Sequence, residues 1–199
     1  MPGALKRIGI GIETDPEKVI ESANNASGKF EIICYCLPGI ADRKTASKNV
    51  TVFEHPRPEQ ALVDDLASGT IDAAVRGTLP SNATLKALKK AMGVDHLERI
   101  ALLETVHGKK FLLTPVGVDE GWTVAEKLEL VQKGRVIAKK FGLPEKTGIL
   151  SGGRLGDIGR HPQVDASMAE AELVARLADA THCEILIEDA IETCGLIIA

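Results

Sequence analysis

Aromatic side chains are scarce, with one Trp, one Tyr and four Phe among 199 residues. The core must therefore be built from Ile, Leu, Val and Ala, and the stacking platforms that hold single-stranded nucleic acid are missing. An excess of positive charge is also lacking. The formal net charge is −4 and no basic tract interrupts the chain, so a phosphate-backbone footprint is not expected. No stretch approaches the roughly 18 apolar residues of a membrane span, and Met1 to Arg7 has no apolar run of the length a signal peptide needs. These absences lead to the expectation of a cytoplasmic protein that touches neither nucleic acid nor membrane. CxxC spacing is absent too. Cys34, Cys36, Cys183 and Cys194 are the four cysteines, and they read as reduced, buried thiols rather than metal ligands. Cys34 and Cys36 stand two apart on a predicted strand and so share a face.

What is present is an alternation of strand and helix signals. Arg7–Ile12, Phe30–Cys36, Val50–Phe53 and Ile71–Val75 read as short aliphatic strands. Between them lie a helix opened by Asp15 as cap and Pro16 at its first position, a polar loop after Cys36, and a helix over Pro58–Ser68 that stops at Gly69. A further helix is expected over Thr84–Met92, closing on Gly93. Glu98–Val106 and Lys110–Gly117 flank His107-Gly108-Lys109 as a hairpin, which marks where a second lobe begins. Thr123 and Glu126 form a capping box before a long helix ending near Phe141. Thr147–Leu150 is a buried strand. Ser167 and Glu170 read as a second capping box, and Glu184–Ala190 with Gly195–Ala199 as the last strands. The pattern predicts an α/β fold with parallel or mixed sheets covered by helices, divided into lobes 1–97 and 98–199.

Three segments invite a chemical reading. Gly9-Ile10-Gly11 follows the start of the first strand, but Thr14 stands where a dinucleotide fingerprint needs its third glycine. Two small residues in a tightly packed strand explain it better. The turn from Arg76 to Lys86 sits between a strand and a helix. Backbone N–H groups, the hydroxyls of Thr78, Ser81 and Thr84, and a cation from Arg76 or Lys86 can meet an anion there; an ordinary capped loop explains the same residues.

The third segment, ILSGGRLGDIGRHPQVD, runs from Ile149 to Asp165. Ser151, Gly152 and Gly153 leave the strand, and Gly156 and Gly159 follow. Glycines let backbone approach a ligand closely. Arg154 and Arg160 supply forked donors for phosphate or carboxylate, Asp157 can orient an arginine, and His161 can donate to an oxyanion or move a proton. The pattern is no Walker loop, since GxxxxGK[ST] is not met. An anion site is favoured over a surface loop whose arginines pair with local acids. No residue is singled out as catalytic and no metal site is expected. The histidines at positions 55, 96, 107 and 182 read as surface or packing residues, Trp122 as an anchor of its loop, and the pair Glu188-Asp189, at a strand end, as the better of the acidic pairs for a polar site role.

The run LASGTIDAAVRGTLPSNATLKALKKAMG resembles the phosphate acetyl/butyryl transferase pattern of an "ADGxVSGA" strand, a Thr/Ser-rich turn and a "TLR" helix start. KFLLTPVGV, GILSGGRLGDIGRHPQVDASMAEAELVA and CEILIEDAI continue it in order, and the chain most resembles the MtxX family, the methyltransferase subunit X marker group of archaeal methanogens. The resemblance implies a two-lobed, isopropylmalate-dehydrogenase-like fold with the active cleft between lobes. It implies a transferase in methanogenesis, partner methyltransferase subunits, a homodimer, and a ligand bearing phosphate or acyl phosphate, with coenzyme A as the cofactor of the phosphotransacetylase relatives. By the same resemblance Lys86 matches the arginine of the "TLR" element, and Ser151 to Arg160 match the relatives' Ser-rich turn. Lysine at 86 loses the bidentate fork, and Pro115 stands where the acetyltransferases carry an aspartate. The sequence reaches Ala199 before the relatives' "PD…GN" turn and Ser-Arg…Asp motif. The expectation is therefore either a truncated product or a different activity: a transferase, an acyl-phosphate:coenzyme A acyltransferase, or a non-catalytic regulatory subunit that binds an anion or nucleotide.

Overall fold

A computed structural model describes residues 5–183 and 187–199. It comprises two compact units, Met1–Leu97 and Glu98–Ala199.

The first unit is a parallel sheet of β1 (Lys6–Ile12), β2 (Phe30–Cys36), β3 (Val50–Glu54) and β4 (Ala73–Val75), in the order β3-β2-β1-β4. Its central strands bury both faces, which is why they read as continuous apolar runs. Ile32, Cys34 and Cys36 pack with Ile12, Ile20 and Val50 on one side. Tyr35 packs with Leu62, Ile71 and Leu79 on the other. Cys34 and Cys36 thus share a face as expected, and burial pushes the Cys34 thiol up to about 11. Such a thiol is inert at neutral pH.

Three helices connect the strands: α1 (Pro16–Ala26), α2 (Pro58–Ser68) and α3 (Ser81–Met92). Gly69 and Gly93 end α2 and α3 in left-handed conformation, as αL caps do. The first cap differs from expectation. Asp15 precedes α1 at φ 49° and makes no side-chain cap bond; its carboxylate lies 3.5 Å from Lys18 instead. β4 is shorter than the strand expected over Ile71–Val75. The Ile71 N–H donates to the Asp65 carbonyl, and the Asp72 carboxylate accepts from Lys6 Nζ and the Arg7 N–H. α3 begins at Ser81 rather than Thr84, because the Thr84 N–H already closes on the Pro80 carbonyl.

Gly9 and Gly11 have the packing role read from the sequence. A Cβ on Gly9 would lie 2.6 Å from Ile71 Cδ1, and one on Gly11 would overlap Leu79 and the Arg76 carbonyl. Gly77, at φ 58°, brings its backbone so near Gly11 that a Cβ would overlap the Gly11 carbonyl oxygen.

The second unit is a mixed sheet of β5 (Ala101–Glu104), β6 (Lys110–Thr114), β7 (Thr147–Leu150), β8 (Thr181–Cys183) and β9 (Leu196–Ile198). Its order is β5-β6-β9-β7-β8, antiparallel only between β5 and β6. The hairpin at His107-Gly108-Lys109 is present, closed by Thr105 N–H to the Lys109 carbonyl at 2.9 Å. β5 and β6 are both shorter than expected. The Arg99 N–H donates to the Glu120 carboxylate rather than to a neighbouring strand, and Pro115 supplies no N–H beyond Thr114. β9 lies at the centre, and Leu196, Ile197 and Ile198 are 0% exposed. Burying each such side chain contributes roughly 1.5–3 kcal/mol.

The helices of this unit are α4 (Val124–Lys140), α5 (Pro162–Leu177) and α6 (Ile187–Thr193). The Thr123–Glu126 capping box forms in both directions. The second expected box does not. α5 starts at Pro162 with His161 as its cap, so Ser167 lies inside the helix. Proline at the first helical position fixes φ where the N–H has no partner to lose, and it outweighs the Ser167–Glu170 spacing. The strand expected over Glu184–Ala190 falls partly outside the described residues. From Ile187 the chain is helical, with Ala190 and Cys194 buried one turn apart. The side chains of Glu188 and Asp189 also lie outside the described residues. Among the described residues no helix is long and apolar enough to cross a membrane, and no group of three or more His, Cys, Asp or Glu could hold a metal ion.

Candidate functional site

In the second unit β6, β9, β7 and β8 run parallel, so their carboxyl ends share one edge, the usual ligand edge of an α/β sheet. The glycine-rich segment leaves β7 there and enters α5. Its backbone donors are largely spent on the segment itself. The Gly152 N–H donates to Ser167 Oγ at 2.9 Å, the Arg154 N–H to Asp157 Oδ2 at 3.0 Å and the Gly159 N–H to Asp165 Oδ1 at 2.8 Å. The N–H groups of Asp157, Ile158 and Arg160 close on the carbonyls of Arg154, Leu155 and Asp157. Gly153 packs so closely that a Cβ would overlap Val164, and Gly159 adopts φ 83°. The glycines shape the loop.

The arginine side chains are differently placed. Arg154 Nε lies 3.4 Å from Asp157 Oδ2 and Arg160 Nη1 2.8 Å from Asp157 Oδ1. One carboxylate, only 19% exposed, therefore holds two guanidinium groups that are 71% and 72% exposed. The Arg154 N–H first, then both guanidiniums, hold the Asp157 carboxyl below its usual range. Each arginine uses one edge on Asp157 and presents further N–H donors outward. His161 Nδ1 accepts from the Gln163 N–H at 3.2 Å; that bond caps α5, and the ring is exposed.

Beside this loop lies a cleft of about 460 Å³ lined by Pro115, Gly121, Trp122, Lys127, Ser167 and Ala199, among others. Ser167 belongs to both features, since its hydroxyl receives the Gly152 N–H. Trp122, read from the sequence as an anchor of its loop, lies on the cleft's lining. Its Nε1 donates to the Val118 carbonyl at 2.8 Å, yet the side chain is largely open to solvent. The buried Glu120 of that lining pairs with Arg99, which also pairs with Asp119. A further cleft, lined by Arg135, Lys139 and Asp179, lies at the opposite edge. There the Arg135 guanidinium is occupied by Thr147 Oγ1 and the carbonyls of Ala178 and Asp179. It acts as a structural staple.

In the first unit the turn after β4 is held by its own groups and by the chain that follows β1. Arg76 Nη1 donates to the Leu79 carbonyl. Thr78 Oγ1 accepts from the N–H groups of Glu13 and Thr14 and donates to the Thr14 carbonyl. Thr84 Oγ1 donates to the Pro80 carbonyl and is nearly buried. Ser81 and Lys86 are exposed, and the first turn of α3 has no side-chain cap.

Sequence reasoning set aside His182 and passed over Glu172. His182, on β8, is 13% exposed; its Nε2 lies 3.1 Å from Ser151 Oγ and its Nδ1 3.2 Å from Glu172 Oε2. Arg176 Nε donates to the other oxygen of Glu172 at 2.6 Å. Arg176 first and His182 second hold the Glu172 carboxyl below its usual range. Thirty-one residues separate Ser151 from His182, and only the parallel pairing of Ile149 with His182 brings them together. Glu172 and Arg176, four apart on α5, carried the one local signal.

No protein-family model matches the chain. A protein of Methanosarcina barkeri described as "Putative methyltransferase mtx subunit X" is 38% identical over 200 residues, covering 97% of this chain and 73% of that one. This chain belongs to the mtx subunit X family. The Methanosarcina mazei relative is 37% identical over 203 residues, covering 97% and 71%. An uncharacterised methyltransferase of Methanopyrus kandleri is 32% identical, covering 94% and 73%. Among solved structures, a branched-chain phosphotransacylase from Enterococcus faecalis superposes with TM-score 0.70 at 17% identity, covering 98% of this chain and 79% of that one. EutD phosphotransacetylase from Staphylococcus aureus gives 0.60 at 13%, covering 98% and 68%. At those identities the likeness establishes the fold of this mtx subunit X member, an α/β fold of the phosphotransacetylase type.

Proposed function

We propose that this mtx subunit X protein binds a small phosphate-bearing ligand at the loop from Ser151 to His161, as part of a transferase. One observation carries the reading: a single shielded carboxylate, Asp157, holds Arg154 and Arg160 together with both side chains mostly in solvent. Two fixed guanidinium groups are the side-chain arrangement best matched to phosphate oxygens. Recognition is by side chains, since the loop's N–H groups are mostly committed within it. Ser151 and His161 flank the arginines as further polar contacts, and Gly152 and Gly153 keep the backbone compact. In the first unit, Ser81, Lys86 and the uncapped start of α3 form a second, weaker anion contact, with Arg76, Thr78 and Thr84 shaping the turn.

The relatives' name points to methyl transfer, with partner methyltransferase subunits. The two arginines favour phosphoryl or acyl-phosphate chemistry, in which they would stabilise charge. A binding role without catalysis is supported by the same committed N–H groups, which leave few backbone donors in the loop for developing negative charge. Thermal-shift titration with inorganic phosphate, acetyl phosphate, coenzyme A and methyl donors tests the reading. At least one phosphate compound is expected to raise the melting temperature, and Arg154→Ala to remove most of the rise. No shift with any of them, or a shift unaltered in the variant, refutes it. Binding without turnover of acetyl phosphate or a methyl donor selects the regulatory form.

A further inference from the structure

Ser151, His182 and Glu172 stand in series. The hydroxyl Oγ lies 3.1 Å from Nε2, and Nδ1 lies 3.2 Å from the carboxylate. In the neutral ring that donates from Nδ1 to the Glu172 carboxylate, the Nε2 lone pair faces Ser151. The Ser151 hydroxyl also lies 2.9 Å from the Gly153 carbonyl. Its proton can therefore turn from that carbonyl to Nε2 without displacement of heavy atoms. Both separations fall in the range seen for a nucleophile and its base.

The same bonds also tie β7 and β8 to α5. Moreover, the cluster adjoins a groove of about 470 Å³ whose lining includes His182 and Glu172 together with Leu155, Ile158 and Met168. Leu155 and Ile158 are more than half exposed there. That groove sets aliphatic side chains beside the imidazole.

We propose that Ser151 is a nucleophile that accepts an acyl group from an ester with a short aliphatic acyl chain, with His182 as general base and Glu172 as the residue that positions it. Ser151 Oγ bonds to the ester carbonyl carbon while the bond from that carbon to the leaving alkoxy oxygen breaks. The hydroxyl proton passes to His182 Nε2 and then to the leaving alcohol. Water, deprotonated by the same nitrogen, attacks the acyl-serine; the acid leaves and Ser151 recovers its proton. Ester and water thus give acid and alcohol, with no other reactant. The inference does not rest on phosphate binding by Arg154 and Arg160. If thermal shifts with phosphate compounds fail while the labelling described next succeeds, only the phosphate reading falls.

The test is labelling of the 199-residue chain with a fluorophosphonate, in which the Ser151 Oγ–P bond forms as fluoride leaves, read by peptide mass spectrometry. Hydrolysis of p-nitrophenyl butyrate is followed in parallel. The expected result is one label on Ser151, absent in Ser151→Ala, and labelling and hydrolysis slowed by roughly 100-fold or more in His182→Gln. For Glu172→Gln, the kcat for p-nitrophenyl butyrate should fall with KM little changed, a split a simple packing role would not produce. Variants are compared after circular dichroism shows native helix content. Should His182→Gln not fold, His182→Asn replaces it under the same criterion. An unlabelled parent, a label on another residue, or labelling undiminished by loss of His182 would overturn the proposal.

Discussion

The loop after β7 and the turn after β4 look alike in sequence: each joins a strand to a helix and combines glycine, hydroxyls and cations. Their interiors are organised in opposite ways. In the turn, the hydroxyls of Thr78 and Thr84 are consumed by backbone partners and one Arg76 nitrogen reaches the Leu79 carbonyl, while the backbone at the start of α3 has no side-chain cap. In the loop, the backbone N–H groups are consumed, while Arg154 and Arg160 remain displayed on Asp157. Richness in glycine and hydroxyls therefore does not by itself identify a ligand site. What distinguishes the two is which donors are left after the chain has satisfied itself.

The largest expected effect that sharpens this contrast is at Gly77. Gly77→Ala must hold a side chain at positive φ and against the Gly11 carbonyl. It is expected to cost about 3 kcal/mol in denaturant unfolding. Thr78→Val leaves the Glu13 and Thr14 N–H groups without their acceptor, and roughly 1–3 kcal/mol of stability should be lost. In the loop the expected losses are of binding rather than stability. Arg154→Ala should weaken a phosphate ligand by about tenfold, near 1.4 kcal/mol, with an unfolding midpoint close to that of the parent. Gly156→Ala, with open space around the new methyl, should change stability by less than about 1 kcal/mol.

The smallest effect is one of pH. The folded-state carboxyl of Asp157 is held below its ordinary 3.8, so its contribution is present above that value and fades as pH falls through the lowered one. An NMR titration of the Asp157 carboxyl should show a midpoint below the ordinary value that returns upward in Arg160→Ala. No movement would mean that the arginine is not held there.

Much of the fold was legible because its signals are local. Thr123 with Glu126, Gly69 and Gly93 each act within one helical turn, and the apolar run over Phe30–Cys36 reports a strand buried on both faces. The start of α5 was misplaced because two local signals compete, and Pro162 with His161 prevails over Ser167 with Glu170. The strand expected from Glu184 onward rested on its aliphatic run, whereas Ala190 and Cys194 pack at helical spacing. At the candidate site, the arginines and Asp157 were readable from spacing three residues apart. The partnership of Ser151 with His182 was not, since it exists only through the parallel register of β7 and β8. The role of Ser167 as acceptor for the Gly152 N–H likewise depends on how α5 lies against the loop.

The most direct test of the central claim is isothermal titration of acetyl phosphate into the parent chain and into the double variant Arg154→Ala/Arg160→Ala. The paired-guanidinium account predicts saturable binding by the parent that weakens about 100-fold when both arginines are removed. Equal affinities in the two proteins, or no heat of binding in the parent together with none for coenzyme A or inorganic phosphate, would contradict it.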